Sequence, residues 1–258
     1  MLTVHHLGKS QSERIVWLCE ELGLPYELKV YDRDKVTRLA PPDYKALHPL
    51  GAAPVIDDNG LVLAESGAIV EYLTTRYGKG RLVLAPDHPE YGQFVYWLHF
   101  ANGTLQPATS RNMILGRLNL PNDNAVLRAM KGRLDLALGL VEARLGEADY
   151  LAGRDLTTAD IMIVFTLTTM RLFLPFDLKP YPNIRAYLAR VGQRDAYCRA
   201  MKKGDPGLET WGSLDGAKHG AGNVWIPGSY DPETKLYIVG TGNPSPAYTH
   251  PQSRDGDN

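Results

Sequence analysis

Three short stretches of this 258-residue chain bring together residue types that could hold and activate an anion. The first is His6-Leu7-Gly8-Lys9-Ser10-Gln11-Ser12-Glu13-Arg14, where a serine falls at the junction of a strand pattern and a helix pattern. A helix N-terminus presents free N–H groups and the positive end of its dipole, so a hydroxyl there can donate to a bound thiolate. The same residues also fit a capping box of Ser10 with Glu13, a structural device worth about 1 kcal/mol. Both readings stay open at this level. The second stretch, Ala53-Pro54-Val55, puts a proline at the start of a strand after a small residue, where a cis peptide is tolerated. The third, Ala64-Glu65-Ser66-Gly67, sets an acid before a helix start. It is either a plain cap or a clamp for an amino-acid-like ligand, with Ser66 on the carboxylate and Glu65 on the ammonium.

These stretches must be positioned by an alternation of strands and helices over the first eighty residues. Leu2 to His5 reads as a strand, and Ser10 to Leu22 as a helix with Ile15, Leu18, Cys19 and Leu22 on one face and Gly23 just past its end. Tyr26 to Tyr31 alternates like a strand. Pro54-Val55-Ile56 and Leu61-Val62-Leu63 read as two strands around the Asp57-Asp58-Asn59-Gly60 turn, and Ser66 to Tyr77 as a helix. From Pro86 to Lys203 the pattern is helical: Tyr91–Leu115, Asp123–Gly146, Thr157–Leu172 opening on an acidic capping box, Asn183–Val191 and Ala196–Lys203. The expected fold is therefore an α/β domain over 1–80 followed by an all-α bundle over 86–203. Residues 204–258 carry 10 Gly and 6 Pro, roughly twice the density of the preceding chain, and form an atypical Gly/Pro-rich tail.

Composition narrows the function. With 28 Lys+Arg against 29 Asp+Glu the chain has no basic footprint for nucleic acid. There is no apolar run long enough to span a membrane, and no basic-then-apolar leader opens the sequence. Two cysteines in a chain of this length suit a reducing compartment, so a cytoplasmic location is expected. Cys19, on an apolar helix face, is expected in the core. His5 and His6 point to opposite faces of their strand and cannot chelate one metal together. No metal motif is present, and no metal is expected.

Taken together, the three stretches resemble the cytosolic glutathione transferases. The resemblance rests on Ser10 four residues before Arg14, on His48-Pro49-Leu50-Gly51-Ala52-Ala53-Pro54-Val55, and on Leu63-Ala64-Glu65-Ser66-Gly67-Ala68-Ile69. Ala40-Pro41-Pro42-Asp43-Tyr44 leading to His48 is similar to a theta-related branch of fungi and bacteria. It implies a thioredoxin-like first domain with glutathione as co-substrate. Ser10 would stabilise the glutathione thiolate, with Ser12 as the competitor. Ala53 and the cis Pro54 would pair with the cysteinyl part, and Glu65 and Ser66 would hold the γ-glutamyl end. The implied activity is conjugation of the thiolate to small hydrophobic electrophiles, with reduction of organic hydroperoxides as a second use. The electrophile pocket would be lined by Tyr96, Trp97, Phe100, Asn102 and Met113, whose helical spacing suits bundle core equally well. A homodimer is implied. The alternative is a non-catalytic carrier of the same fold, suggested by Gly51 and Ala52 standing where relatives often place a Lys or Gln for the glycine carboxylate. Lys9, Arg14 and Lys35 are candidate substitutes for that cation.

The tail resembles a different family. Lys218 to Trp225, Tyr230-Asp231-Pro232 and Gly240-Thr241-Gly242-Asn243-Pro244 look like one propeller blade of a quinoprotein alcohol dehydrogenase, with Val224–Ile226 and Leu236–Val239 as paired strands. That family would put pyrroloquinoline quinone on Trp225 and calcium on Asn243. A single blade leaves both its edges open, so no quinone is expected to bind.

Overall fold

The computed structural model describes residues 1–118, 120–121, 123–205, 229–231 and 236–238. Residues 1–204 form one unit and residues 205–258 a second.

The first unit opens with a four-stranded mixed sheet. Strands β1 (Leu2–Leu7), β2 (Glu27–Tyr31), β3 (Val55–Asp58) and β4 (Leu61–Ala64) lie in the order β2-β1-β3-β4. β1 runs parallel to β2 and antiparallel to β3, so Val4 sits between Leu28 and Ile56. Helix α1 (Glu13–Leu22) is the crossover between the parallel pair, and Gly23 ends it in the left-handed conformation, φ 59°. The β3–β4 hairpin turns at Asn59 and Gly60, both at positive φ, as the tight hairpin turn of a twisted ribbon requires. A one-turn helix α2 (Pro42–Lys45), absent from the sequence reading, seats Tyr44 under the sheet, and α3 (Ser66–Tyr77) follows β4 directly. This is the thioredoxin-like arrangement expected of the first domain.

Helices make up the remainder of the unit. The segment expected as one helix over Tyr91–Leu115 is instead α4 (Tyr91–Phe100), a π-helical turn at Ala101–Leu105, and α5 (Gln106–Leu115). Pro107 explains the break: it has no N–H for the carbonyl four residues back, and its ring crowds that carbonyl. The backbone widens instead, with Gln106 N–H reaching Ala101 O. Next come α6 (Ala125–Glu147), α7 (Thr158–Leu167), α8 (Pro182–Gly192) and α9 (Asp195–Gly204). α7 is buried all round and stops at Leu167, with a 3₁₀ turn over Thr169–Leu172 where one continuous helix was expected. Its capping box of Thr157 with Asp160 is formed as read.

Asp160 does more than cap. It is fully buried, its Oδ1 accepting from Leu151 N–H (3.0 Å) and Tyr187 OH (3.1 Å) and its Oδ2 from Thr157 N–H (2.9 Å) and Thr157 OH (3.1 Å). Burial raises its carboxyl pKa against the opposing pull of these donors. An Asp160→Asn change must set an NH2 group against one backbone N–H, leaving a buried donor unpaired at about 2 kcal/mol. Thermal unfolding is expected about 5 °C lower for that variant, as read by calorimetry.

The two halves of the unit are riveted through α1. It packs extensively on α9: Trp17 meets Tyr197 edge-on at 4.9 Å, and Arg194 grips both oxygens of Glu21 at 2.7 and 2.8 Å. Cys19 is wholly buried in this core, and burial pushes its thiol pKa up to about 12.

In the second unit, β5 (Ser229–Asp231) pairs antiparallel with β6 (Leu236–Ile238), Tyr230 opposite Tyr237. The expected strand at 236–239 is present over 236–238, but its partner is 229–231, placed in the connecting loop by the sequence reading. A five-residue-shorter hairpin closes more locally and costs less loop entropy. Val224–Ile226, Trp225 and Asn243 lie outside the described residues.

Candidate active site

The junction between β1 and α1 is built by hydrogen bonds from both sides. Arg33, just past β2, donates from Nε to Gly8 O (2.9 Å) and from Nη2 to Lys9 O (3.2 Å), pinning the loop that carries Lys9 at φ 54°. Ser10 and Ser12 then meet at 2.7 Å between their Oγ atoms. The Ser10–Glu13 capping box does not form. The residue flanking the helix is Ser12, which makes no capping bond, and Glu13 turns away to accept from Thr169 OH at 2.6 Å.

The two serines are not equivalent. Ser12 has no exposed surface, and its Oγ is shared among Leu7 N–H (3.1 Å), Leu7 O (3.3 Å), His6 Nδ1 (2.9 Å) and Ser10. Ser10 keeps 5% of its surface open and accepts at 3.2 Å from Ser12 N–H. Of the two serines, only Ser10 keeps any exposed surface.

Ala53–Pro54 is cis, and Ala53 O accepts from Gln11 Nε2 at 2.9 Å, which ties the cis loop to the start of α1. Ser66 is the first residue of α3. Its Oγ accepts from Arg14 Nη1 (3.2 Å) and Asn102 Nδ2 (3.0 Å), so its own proton remains to donate outward beside the first N–H groups of the helix. Glu65 precedes it at φ 71°, ψ 115°, a backbone conformation costly for a side-chain-bearing residue and of the kind that collects at ligand sites.

Arg14 joins these parts. It is wholly buried, donating from Nη1 to Gln11 Oε1 (2.8 Å), Asn102 Oδ1 (3.1 Å) and Ser66, and from Nη2 to Gln106 Oε1 (2.7 Å). Phe165 lies under the guanidinium at 5.1 Å. Every one of those acceptors is neutral, and burial pulls the Arg14 pKa down to about 9 against the raising influence of Glu13. Arg14 is thus a structural cation behind Ser66, not a free hand for the glycine carboxylate. Gln11 and Gln106, 95 residues apart and bonded at 3.3 Å, were missed by sequence reasoning, since nothing local marks either one.

Asn102, from the π-helical turn, belongs to this cluster. Trp97 and Phe100 do not: both are buried in the main core, ring to ring at 4.9 Å. Their spacing serves packing. Tyr96 is half exposed beside them at 5.0 Å from Trp97, and Met113 is half-buried on α5. Lys45, also unnoticed in the sequence, runs its stem past Gly51, where an added Cβ would lie 3.6 Å from Lys45 Cγ. Among the described residues no three His, Cys, Asp or Glu side chains gather as a metal site.

Comparison with known proteins decides the family. The family model for the glutathione S-transferase N-terminal domain matches residues 10–76, and that for the C-terminal domain matches residues 124–190. The chain belongs to the glutathione S-transferase family. It is 33% identical over 234 residues to Glutathione S-transferase 3 of Schizosaccharomyces pombe, covering 85% of this chain and 95% of that one. A crystal structure of a glutathione S-transferase from Actinobacillus pleuropneumoniae superposes with a TM-score of 0.74 at 36% identity, over 81% of this chain and 94% of the other. A theta class glutathione S-transferase from Xanthomonas axonopodis, solved with glutathione bound, gives 0.60 at 26% identity, over 77% and 96%. Relatives named as transferases in fungi, insects, plants and bacteria do not favour the reading as a non-catalytic carrier.

Proposed function

We propose that Ser10 donates its hydroxyl proton to the thiolate of glutathione bound along the edge formed by Ala53, the cis Pro54 and the start of α3. The thiolate then attacks a small hydrophobic electrophile. The observation that carries this is the contrast between the two serines: Ser12 is sealed and shared among β1 atoms, whereas Ser10, just before α1, keeps a little exposed surface. The γ-glutamyl carboxylate fits Ser66, the N–H groups opening α3 and the buried charge of Arg14 behind them, while Glu65 faces the ammonium. Lys45 supplies the cation for the glycine carboxylate that Gly51 and Ala52 lack.

Chemically, little else is needed. A free thiol titrates near ~8.5, and lowering that by about two units takes roughly 3 kcal/mol of preference for the thiolate. One charge-assisted hydrogen bond and a helix end supply energy of that size. With a chloronitroaromatic as electrophile, the sulfur forms the new C–S bond, the C–Cl bond breaks and chloride leaves with the bonding pair. Binding both reactants in contact provides the rest of the acceleration. Residues 1–80 supply the glutathione site and residues 86–203 the electrophile side with Tyr96, Asn102 and Met113. The functional particle is a homodimer in the cytoplasm, and among the described residues no helix is long and apolar enough to cross a membrane.

The test is direct: purified protein, glutathione and a chloronitroaromatic, with the thioether followed by absorbance. Glutathione-dependent turnover saturating in both reactants is expected. Glutathione binding without turnover of any aryl halide, enone or organic hydroperoxide would leave the carrier reading in its place.

A further inference from the structure

Behind Ser10 lies a chain of three polar side chains that the conjugation chemistry does not by itself require: Ser10 Oγ to Ser12 Oγ at 2.7 Å, and Ser12 Oγ to His6 Nδ1 at 2.9 Å. All three are buried, and His6 and Ser12 have no exposed surface at all. Around Ser12 Oγ the hydrogen-bond inventory is tight. A hydroxyl has one proton to give and two lone pairs to receive with. Leu7 N–H can only donate to it (3.1 Å), and Leu7 O can only accept from it (3.3 Å, the longest of the four contacts). The contacts to Ser10 and His6 take their direction from what remains.

Two arrangements satisfy the Ser10–Ser12 and Ser12–His6 contacts together with Leu7 N–H, and each gives up the longer contact to Leu7 O. In the first, His6 Nδ1 is a bare acceptor and Ser12 gives it the hydroxyl proton. Ser10 must then give its own proton inward to Ser12, and nothing is left for a thiolate. In the second, His6 Nδ1 carries a proton and donates to Ser12. Ser12 has then received from both Leu7 N–H and His6, and turns its proton onto Ser10. Ser10, receiving from Ser12 OH and from Ser12 N–H at 3.2 Å, has both lone pairs engaged and only its proton to offer.

We propose that His6 is a positioning residue for Ser10: its Nδ1–H, passed through Ser12, aims the Ser10 proton at the glutathione sulfur. This rests on Ser10 being the thiolate donor and adds what sets its direction. Both the Nδ1–H tautomer and the imidazolium provide the donor. Each bond in the series is polarised by the one before it, which strengthens the last. The ring is also held in place from the far side. A Cβ on Gly204, the last residue of α9, would lie 3.0 Å from His6 Nε2, close enough that the ring or the helix end would have to give by a few tenths of an ångström.

The experiment reads the pKa of the glutathione thiol in the complex, from thiolate absorbance near 240 nm across pH, and affinity from S-methylglutathione, which has no thiol to titrate. His6→Leu removes the donor, whereas His6→Asn places an N–H donor at nearly the Nδ1 position in a smaller side chain. His6→Leu is expected to raise the bound thiol pKa by about one unit, a roughly threefold loss of thiolate at pH 7 for a thiol that starts near 6.5, with S-methylglutathione affinity retained. His6→Asn is expected to return most of that shift. A His6→Leu pKa equal to that of the unmodified protein, or an Asn variant no better than Leu, overturns the proposal. Should His6→Leu fail to bind S-methylglutathione, Ser12→Ala decides: a raised thiol pKa supports the relay and an unchanged one overturns it. Ser10→Ala separates the two levels. If it leaves the thiol pKa unchanged, the Ser10 reading falls and the relay with it; if only His6 and Ser12 are silent, the relay alone falls.

Discussion

Ser10→Ala is expected to lower kcat/KM for conjugation about thirtyfold near pH 7, and by progressively less as pH rises past about 8.5. The sign follows from the thiol. With Ser10 in place, a thiol brought down to about 6.5 is mostly thiolate at pH 7; without it, a thiol near 8.5 is ionised to only a few per cent. Above the free thiol pKa both proteins hold thiolate, so the defect closes from the alkaline side. A loss of fold or of glutathione binding would instead lower activity evenly at every pH. The profile thus separates a proton donor from a packing residue. Ser12, whose sealed hydroxyl ties α1 to the end of β1 through Leu7, acts on sulfur only through Ser10.

Arg14→Met is expected to be the most damaging single change to stability. The guanidinium donates to Gln11, Ser66, Asn102 and Gln106, which arise from the turn before α1, α3, the π-helical turn and α5. Removing it takes a donor from the buried Ser66 hydroxyl and from three half-buried amide oxygens, each loss costing about 1 kcal/mol. The same change relieves the cost of burying a cation, evident in the depression of its pKa to about 9. Its Nε, buried without a partner, is part of that relieved cost. The lost bonds outweigh the relief, because four acceptors from four separate segments lose the group that holds them together. A net loss of about 3 kcal/mol and a thermal midpoint lower by roughly 10 °C are expected in calorimetry. Glutathione affinity should fall as well, since Ser66 loses the contact that turns its proton outward. Arg14→Lys keeps the charge but cannot span four acceptors, and should recover less than half of the stability.

Much of this architecture was legible in the sequence because its signals are local. Gly23 marks the end of α1, Asn59-Gly60 marks the hairpin, and Ser66 marks the start of α3; the structure has each where its residue type predicts. Long-range placement was not legible. Glu13 fits a cap for Ser10 on sequence, yet its carboxylate goes to Thr169, 156 residues away. Arg14 reads as an available cation, yet it is enclosed by partners from a helix some 90 residues later. Aromatic spacing on α4 could not separate core from pocket, since Trp97 and Phe100 repeat at the same interval in either case. The π-helical turn had one visible cause, Pro107, whose missing N–H breaks an otherwise continuous helical pattern. That turn delivers Asn102 to Ser66, so a local backbone irregularity became a site residue.

The central claim is that this site binds glutathione and takes the proton from its thiol. Calorimetric titration of the full chain with glutathione, repeated in buffers of different ionisation enthalpy at neutral pH, counts protons released on binding. Release of close to one proton per site is the predicted result, falling toward zero in Ser10→Ala. Binding with no proton release by the unmodified protein would contradict it, because a site that leaves the thiol protonated has no activated nucleophile to offer.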